Sequence, residues 1–143
     1  MRIRSCVFAV AGVMLAGSLA VSARQPAQPR PGGWTLPPEA DQEKNPFAGD
    51  AKAVAAGKVL YDKTCKKCHG PGGKGDGPDA DPDSMQDMDL TNPRRAARNP
   101  DGIVFYKIWN GRAKPKMPGQ KDDLTKDQVW QIVTYAQTMR QKS

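Results

Sequence analysis

The chain has 143 residues, which is enough for one small domain and some additional length. Its formal net charge of +7 suits docking to acidic proteins, but it gives no positive case for binding nucleic acid. Aromatic residues make up only 6% of the sequence, so a domain of this size is short of ordinary core material.

The N-terminal residues have the pattern of an export signal. Arg2 and Arg4 form a short basic stretch, an apolar run follows over residues 7–21, and small residues before and at Ala23 suit cleavage there. The apolar run is shorter than the ~20 residues that span a bilayer comfortably, and an uncleaved anchor is the alternative. We predict a signal peptide over residues 1–23 and a periplasmic location, with membrane attachment only if the segment is uncleaved.

Residues 24–46 are rich in proline, glutamine and charged side chains. Such a composition buries too little apolar surface to order itself, so it predicts a disordered arm or tether. Trp34 and Leu36 are the exceptions, because their side chains can pack onto a neighbouring domain. The globular domain is predicted to follow, over residues 47–143.

Three main helices are predicted in the globular domain. The first covers about residues 50–63, and the second begins near Asn99, a good N-cap, and ends at Gly111. The start of the third is predicted from Thr125 and Gln128, which form a capping box before a regular apolar stripe. Between the first two helices lie about 35 residues without hydrophobic periodicity, which is unusual in a compact domain. We infer that this loop wraps around a cofactor.

Cys65, Cys68 and His69 form the C-x-x-C-H pattern for covalent haem attachment. Each thiol can add to one haem vinyl group, and the imidazole lies on the same helical face as Cys65. A structural zinc site needs four ligands, but the exported chain offers only these three Cys and His residues. A thioredoxin-like redox pair would need a βαβ unit, which is not predicted. The pattern therefore predicts one covalent haem c, with His69 as an iron ligand.

The sixth iron ligand must come from a distant segment of the chain. His69 is the only histidine, so methionine is the natural donor. The candidates in the exported chain are Met85, Met88, Met117 and Met139. Met117 is favoured as the second metal ligand, because prolines on both sides stiffen its backbone. Met88 is the next candidate, and Met139 lies on the apolar stripe of the last helix, where packing explains it.

Five further side chains are weaker candidates for the haem site. Trp109 and Arg112 can donate hydrogen bonds to the haem propionates, although core packing and a solvated charge explain them equally well. Leu90, Ile103 and Ile108 are candidates for the apolar walls of the haem site.

Together these motifs resemble the class I, mitochondrial-like cytochromes c, in particular their bacterial soluble branch. The resemblance covers residues 50–140 and rests on residues 57–61, 65–70, 75–78, 116–118 and 130–135. It implies an all-α cytochrome c fold, in which three main helices and long loops wrap around one covalent haem. It also implies a close approach of the first and last helices at Gly57, with Tyr61 packing near Ile132 and Tyr135. Pro78 resembles the family's proline whose carbonyl accepts the ring N–H of the proximal histidine.

The predicted function is electron transfer and not catalysis. With His69 and Met117 both on the iron, no position is left for a substrate, so one electron passes through the exposed haem edge. Lysines near that edge suit acidic-faced partners: a dehydrogenase, a quinol-oxidising complex or a terminal oxidase of a respiratory chain. The alternatives are a haem subunit of a larger membrane or dehydrogenase complex and, less favoured, a peroxidase-like haem enzyme.

Overall fold

A computed structural model describes residues 28–30, 33–114 and 116–140 of the chain. The predicted signal peptide lies outside the described residues, as does the first part of the predicted arm. Two short strands, Gln28–Arg30 (β1) and Trp34–Leu36 (β2), pair in antiparallel fashion. The α-helices are Ala51–Thr64 (α1), Lys66–His69 (α2), Met85–Met88 (α3), Pro93–Ala97 (α4), Asp101–Asn110 (α5) and Lys126–Arg140 (α6). No helix in these ranges is long and apolar enough to cross a membrane.

Helices α1 and α6 pack backbone to backbone at Gly57. A Cβ atom there would lie 1.9 Å from the carbonyl oxygen of Gln131, so only glycine fits. One turn later the ring of Tyr61 meets the ring of Tyr135 edge-on, with centroids 5.3 Å apart. The Tyr61 hydroxyl donates a 2.7 Å hydrogen bond to the carbonyl of Gly70. The close approach and the tyrosine contact implied by the sequence are therefore present.

Side-chain caps begin two of the long helices, of which the sequence predicted the one at α6. Asp50 caps α1, because its carboxylate accepts hydrogen bonds from the backbone N–H groups of Lys52, at 2.7 Å, and Ala53, at 3.3 Å. At α6 the capping box is confirmed: the Thr125 hydroxyl accepts from the Gln128 N–H at 3.3 Å, and the Gln128 side chain accepts from the Thr125 N–H at 2.9 Å. These bonds satisfy backbone donors that a helix leaves unpaired at its start.

The start of α5 differs from the prediction. Pro100 occupies the N-cap position and the helix begins at Asp101. The side chain of Asn99 instead donates to the carbonyl of Arg95 at 2.6 Å and accepts from Lys107. The side chain of Asn99 is therefore bound to Lys107 of α5 and does not cap that helix. The predicted end is confirmed, since Gly111 follows α5 with a φ of 64°.

The main core lies between α5 and α6. Its buried side chains are Phe105, Ile108, Val129, Trp130, Ile132 and Val133. Phe105 stacks on Trp130 with ring centroids 4.3 Å apart, and Trp109 stacks on Phe105 at 5.9 Å. Phe105, Trp109 and Trp130 thus form one aromatic stack in this core.

The long predicted loop contains short helices. Besides α2, α3 and α4 it holds a 3₁₀ helix, Pro82–Ser84, which is capped by Asp81. Asp81 accepts from the backbone N–H of Asp83 at 3.0 Å and from the hydroxyl of Ser84 at 2.9 Å. Asn92 caps α4, with Pro93 at its first position. Helices this short carry no hydrophobic periodicity, which explains why the sequence did not reveal them.

Residues 33–46 of the predicted arm are packed against the domain and differ from a disordered tether. We call it the N-terminal segment. Leu36 and Ala40 are buried and form a second core cluster with Ile103 of α5. Average composition predicted disorder, but two apolar side chains placed against an apolar helix face are enough to order the segment.

We expect Gly57→Ala to lower the free energy of unfolding of the holoprotein by about 1–3 kcal/mol, because the new methyl group would push α1 away from the Gln131 carbonyl. Chemical denaturation followed by circular dichroism measures the change. Gly72→Ala is the matched control, since a Cβ atom at Gly72 meets no atom within 4 Å. Equal stability of the two variants would contradict the close packing of α1 and α6.

Candidate haem site

Two adjoining cavities lie beside the Cys65–His69 motif. The first encloses about 770 Å³ and the second about 1230 Å³, counting their openings to solvent. The lining residues that the cavities share are Trp34, Cys65, His69, Asp87, Ile108 and Met117.

The first helix leads directly into the attachment motif. The N–H of Cys65 donates to the carbonyl of Tyr61 at 2.9 Å, so the end of α1 fixes the first thiol. Helix α2 then carries Cys68 and His69, and all three motif side chains line the second cavity. Burial raises the pKa of the Cys65 thiol. The structure therefore brings together the thiols and the imidazole that the sequence singled out.

The imidazole of His69 is oriented by a backbone carbonyl, but not by the predicted one. Its Nδ1 lies 2.7 Å from the carbonyl oxygen of Met88, and the ring nitrogen is the donor. The implied contact with Pro78 is wrong, since Pro78 lies exposed in a turn. The last carbonyls of a helix lack partners within it, so Met88 at the end of α3 is free to accept. Burial lowers the pKa of His69, which favours the neutral, metal-binding form.

The methionine candidates separate by position. Met117 lines both cavities and Met88 lines the second, whereas Met85 and Met139 line neither. Met139 is buried in the packing of α6, and Met85 is 44% exposed. Met117 is held by two backbone hydrogen bonds with Arg112, in which each residue donates to the other, at 2.8 and 2.9 Å. The position of Met117 is therefore set by backbone pairing with Arg112, the residue that follows Gly111.

Four cationic side chains converge on the cavities. This cationic cluster consists of Arg95, Lys107 and Arg140, which line the first cavity, and Arg112, which lines the second. Burial, followed by the charges of the three arginines, lowers the pKa of Lys107 to about 8.

Asp87 is the carboxylate that pairs with the cationic cluster. Its Oδ1 accepts from Arg95 at 2.7 Å, and its Oδ2 lies 3.6 Å from the guanidinium of Arg112. The hydrogen bond from Arg95 is the main reason that the pKa of Asp87 is lowered. Asp89 also lines the first cavity. In the first cavity, the three cations of the cluster outnumber these two carboxylates.

The predicted wall residues divide into two groups. Leu90 and Ile108 line the cavities, as expected. Ile103 does not, because it is buried under the N-terminal segment. Trp109, a predicted donor to the haem propionates, does not line them either, because it stacks on Phe105. Consecutive helical residues point about 100° apart, so Ile108 faces the cavities while Trp109 faces the core.

Several lining residues were missed in the sequence. Trp34 lines both cavities, although the sequence singles it out only as a side chain that can pack onto the domain. Lys107 and Arg140 had a usable signal. Val104, Lys107 and Ile108 lie on one face of α5, and Ile132, Ala136 and Arg140 recur at four-residue spacing along α6.

Comparison with known proteins decides the family. The cytochrome c family model matches residues 54–140, which is more than half of the chain. The chain belongs to the cytochrome c family. The predicted resemblance and the all-α cytochrome c fold are thereby confirmed, and the family implies a covalent c-type haem and haem-based electron transfer.

One solved relative has the same fold as this cytochrome c. It is cytochrome cL from the marine methylotrophic bacterium Methylophaga aminisulfidivorans, with a TM-score of 0.52 and 24% sequence identity. The match covers 65% of this chain and 59% of that chain, so this cytochrome c spans less than two thirds of its relative. Among curated proteins, none matches the chain.

The cavities fit the haem that the family implies. Cys65 and Cys68 would hold its vinyl groups, and His69 and Met117 would hold its iron. Lys107 is a half-buried cation near three arginines, and two propionate carboxylates would offset the excess of positive charge in the first cavity. The donor set and the charge of the cavities therefore suit the same cofactor.

We expect the double variant Cys65→Ala/Cys68→Ala to release any bound pigment into acid–acetone, because no thioether would retain it. The wild-type protein should keep its pigment in the precipitate, as measured by absorbance of the two fractions. Lys66→Ala/Lys67→Ala is the matched control, since both lysines are exposed between the thiols. Extraction of pigment from the wild type would exclude covalent attachment.

Proposed function

We propose that this protein is a periplasmic electron carrier, which holds one electron on its covalent haem and passes it between respiratory redox partners. The observation that carries the proposal is that His69 and Met117 both line the cavities beside Cys65 and Cys68. When bound, the haem supplies a reversible one-electron couple, and a histidine–methionine ligand pair raises its potential.

The protein residues orient the imidazole before the iron is bound. The hydrogen bond from His69 Nδ1 to the Met88 carbonyl fixes the ring and leaves Nε2 as the ligand atom. Met88 thus contributes its backbone to the histidine side of the site. This arrangement favours Met117, which comes from a separate segment, as the opposite ligand.

Ligation by both residues favours a carrier over an enzyme. A peroxidase-like enzyme needs an open iron position, whereas His69 and Met117 together would fill both axial positions. One electron then arrives from a reduced donor and leaves to an oxidised acceptor, and the protein makes or breaks no substrate bond. The periplasmic location is proposed from the export pattern of residues 1–23.

Exposed lysines support docking to acidic-faced partners. The exposed members near the motif and the Met117 loop are Lys63, Lys66, Lys67, Lys74, Lys114 and Lys116. Lys116 lines the second cavity, but Asp79 and Asp81 line it as well. The surface is therefore mixed, and we propose that Lys66 and Lys67 on α2 dominate the attraction.

The N-terminal segment bears on the choice between a free carrier and a complex subunit. If the protein were a subunit of a larger complex, the proline-rich arm would serve as its docking strand. The described part of that arm instead packs on α5 of its own domain. We therefore propose the free carrier.

Replacing the proposed sixth ligand tests the function. Met117→Ala should abolish the iron–thioether charge-transfer band, open the reduced iron to carbon monoxide and lower the reduction potential. The equilibrium constant for electron exchange with a reference couple should change more than tenfold. A tenfold change corresponds to about 59 mV for one electron. Met85→Ala is the matched control, because Met85 is exposed and lines neither cavity, and it should leave all three properties unchanged. If Met88→Ala removes the band instead, the ligand assignment is wrong.

Charge reversal on α2 tests the docking surface. Lys66→Glu/Lys67→Glu should slow oxidation by anionic ferricyanide and speed oxidation by cationic tris(phenanthroline)cobalt(III), so that the ratio of the two rates changes several-fold at low salt. Stopped-flow kinetics at several ionic strengths measures the effect, which should fade as salt rises. Lys52→Glu, on an exposed site at the start of α1, should change the ratio little. If Lys52→Glu had about half the effect of the double variant, in proportion to the charge that each changes, net charge alone would explain the result.

A further inference from the structure

Trp34 is a cavity residue supplied from outside the region shared with the family. The family match begins at residue 54, whereas Trp34 belongs to the N-terminal segment, residues 33–46. Its half-buried indole lines both cavities. The segment therefore adds a wall to a haem site that the rest of the domain builds.

The indole lies against two members of the cationic cluster. The guanidinium carbon of Arg112 is 4.4 Å from the ring centroid of Trp34, and the ammonium of Lys107 is 4.9 Å from it. Cations are attracted to the face of an aromatic ring, most strongly where water is excluded. Trp34 thus covers these two charges with an apolar surface that also attracts them.

The position of Trp34 is fixed by contacts on its C-terminal side. Asn110 donates a 2.8 Å hydrogen bond to the carbonyl of Thr35, the next residue along the chain. Leu36 is buried beside Ile103, so β2 is held on α5 by both polar and apolar contacts. The indole is therefore part of an anchored strand.

The remainder of the N-terminal segment is attached to both long C-terminal helices. Tyr106 of α5 donates to the carboxylate of Glu43 at 3.2 Å, and Asn45 donates to the hydroxyl of Thr134 on α6 at 3.0 Å. A Cβ atom at Gly102 would lie 2.0 Å from the carbonyl oxygen of Ala40, so the segment lies flush on α5. These contacts make the segment a fixed part of the domain.

We propose that Trp34 is a positioning residue that closes the cavities over Lys107 and Arg112, keeps water from the charged edge of the bound haem and so raises its reduction potential. The inference rests on the electron-transfer function proposed above. Loss of an electron leaves one additional positive charge in the cavity. Nearby cations oppose that charge more strongly when water does not screen them, and water itself would stabilise it.

Substitutions of the indole test this role in the holoprotein. Trp34→Ala should shift the equilibrium with a reference couple several-fold toward the oxidised form, as measured by spectroelectrochemical titration. Trp34→Phe keeps an aromatic face for the cations and should stay near the wild type. Thr35→Ala is the matched control, since its exposed side chain belongs to the same strand.

If Trp34 had a purely structural role, its replacement would not change how the reduction potential depends on salt concentration. In Trp34→Ala the cations become accessible to counterions, so its potential should fall more steeply with ionic strength than those of the wild type and Trp34→Phe. In a double-mutant cycle, Lys107→Met should remove part of the effect of Trp34→Ala, because the two residues act through one contact.

Two results would overturn the inference: an unchanged potential and salt dependence in Trp34→Ala, or equal potentials in Trp34→Phe and Trp34→Leu. The leucine variant fills space without an aromatic face, so this pair decides the matter if Trp34→Ala does not fold. Failure of the proposed function has a different signature. A wild-type protein without the iron–thioether band would contradict the ligation by Met117, whereas an intact band with an unchanged Trp34→Ala potential contradicts only the role of Trp34.

Discussion

The contact between the backbones of α1 and α6 at Gly57 is the constraint on which the site depends. Helix α1 leads without a break into Cys65, so its axis places the attachment motif. Helix α6 contributes Ile132, Ala136 and Arg140 to the first cavity. Bringing the two helices to backbone contact therefore sets the distance between the thiols and one side of the cationic cluster. A larger residue at the contact would displace both sides of the cofactor site together.

Features decided by neighbours in the sequence were predicted well. The capping box of Thr125 and Gln128 uses two side chains three positions apart, and both bonds are present. Cys65, Cys68 and His69 lie close together in the sequence, so one short helix brings their side chains to the same cavity. Asn99 shows the limit of such signals, because a hydrogen bond with Lys107, eight residues away, takes the side chain from the predicted cap.

Features decided by distant segments could not be predicted in this way. The carbonyl that meets His69 belongs to Met88, and choosing between it and Pro78 requires the path of the whole loop. The indole that lines the cavities belongs to Trp34, whereas the predicted Trp109 stacks on Phe105 in the core. Average composition also hid the N-terminal segment, whose order depends on an apolar face that α5 presents. The missing information is three-dimensional in each case.

The glycine at position 102 has a consequence for the sequence of α5. It lacks a side chain because the carbonyl of Ala40 occupies the space where one would stand. Without a covering segment at this place, the helix would have no such neighbour, and this steric restriction on the residue would be absent. In this chain, Gly102 therefore ties the choice of residue on α5 to the additional wall that the N-terminal segment brings to the haem site.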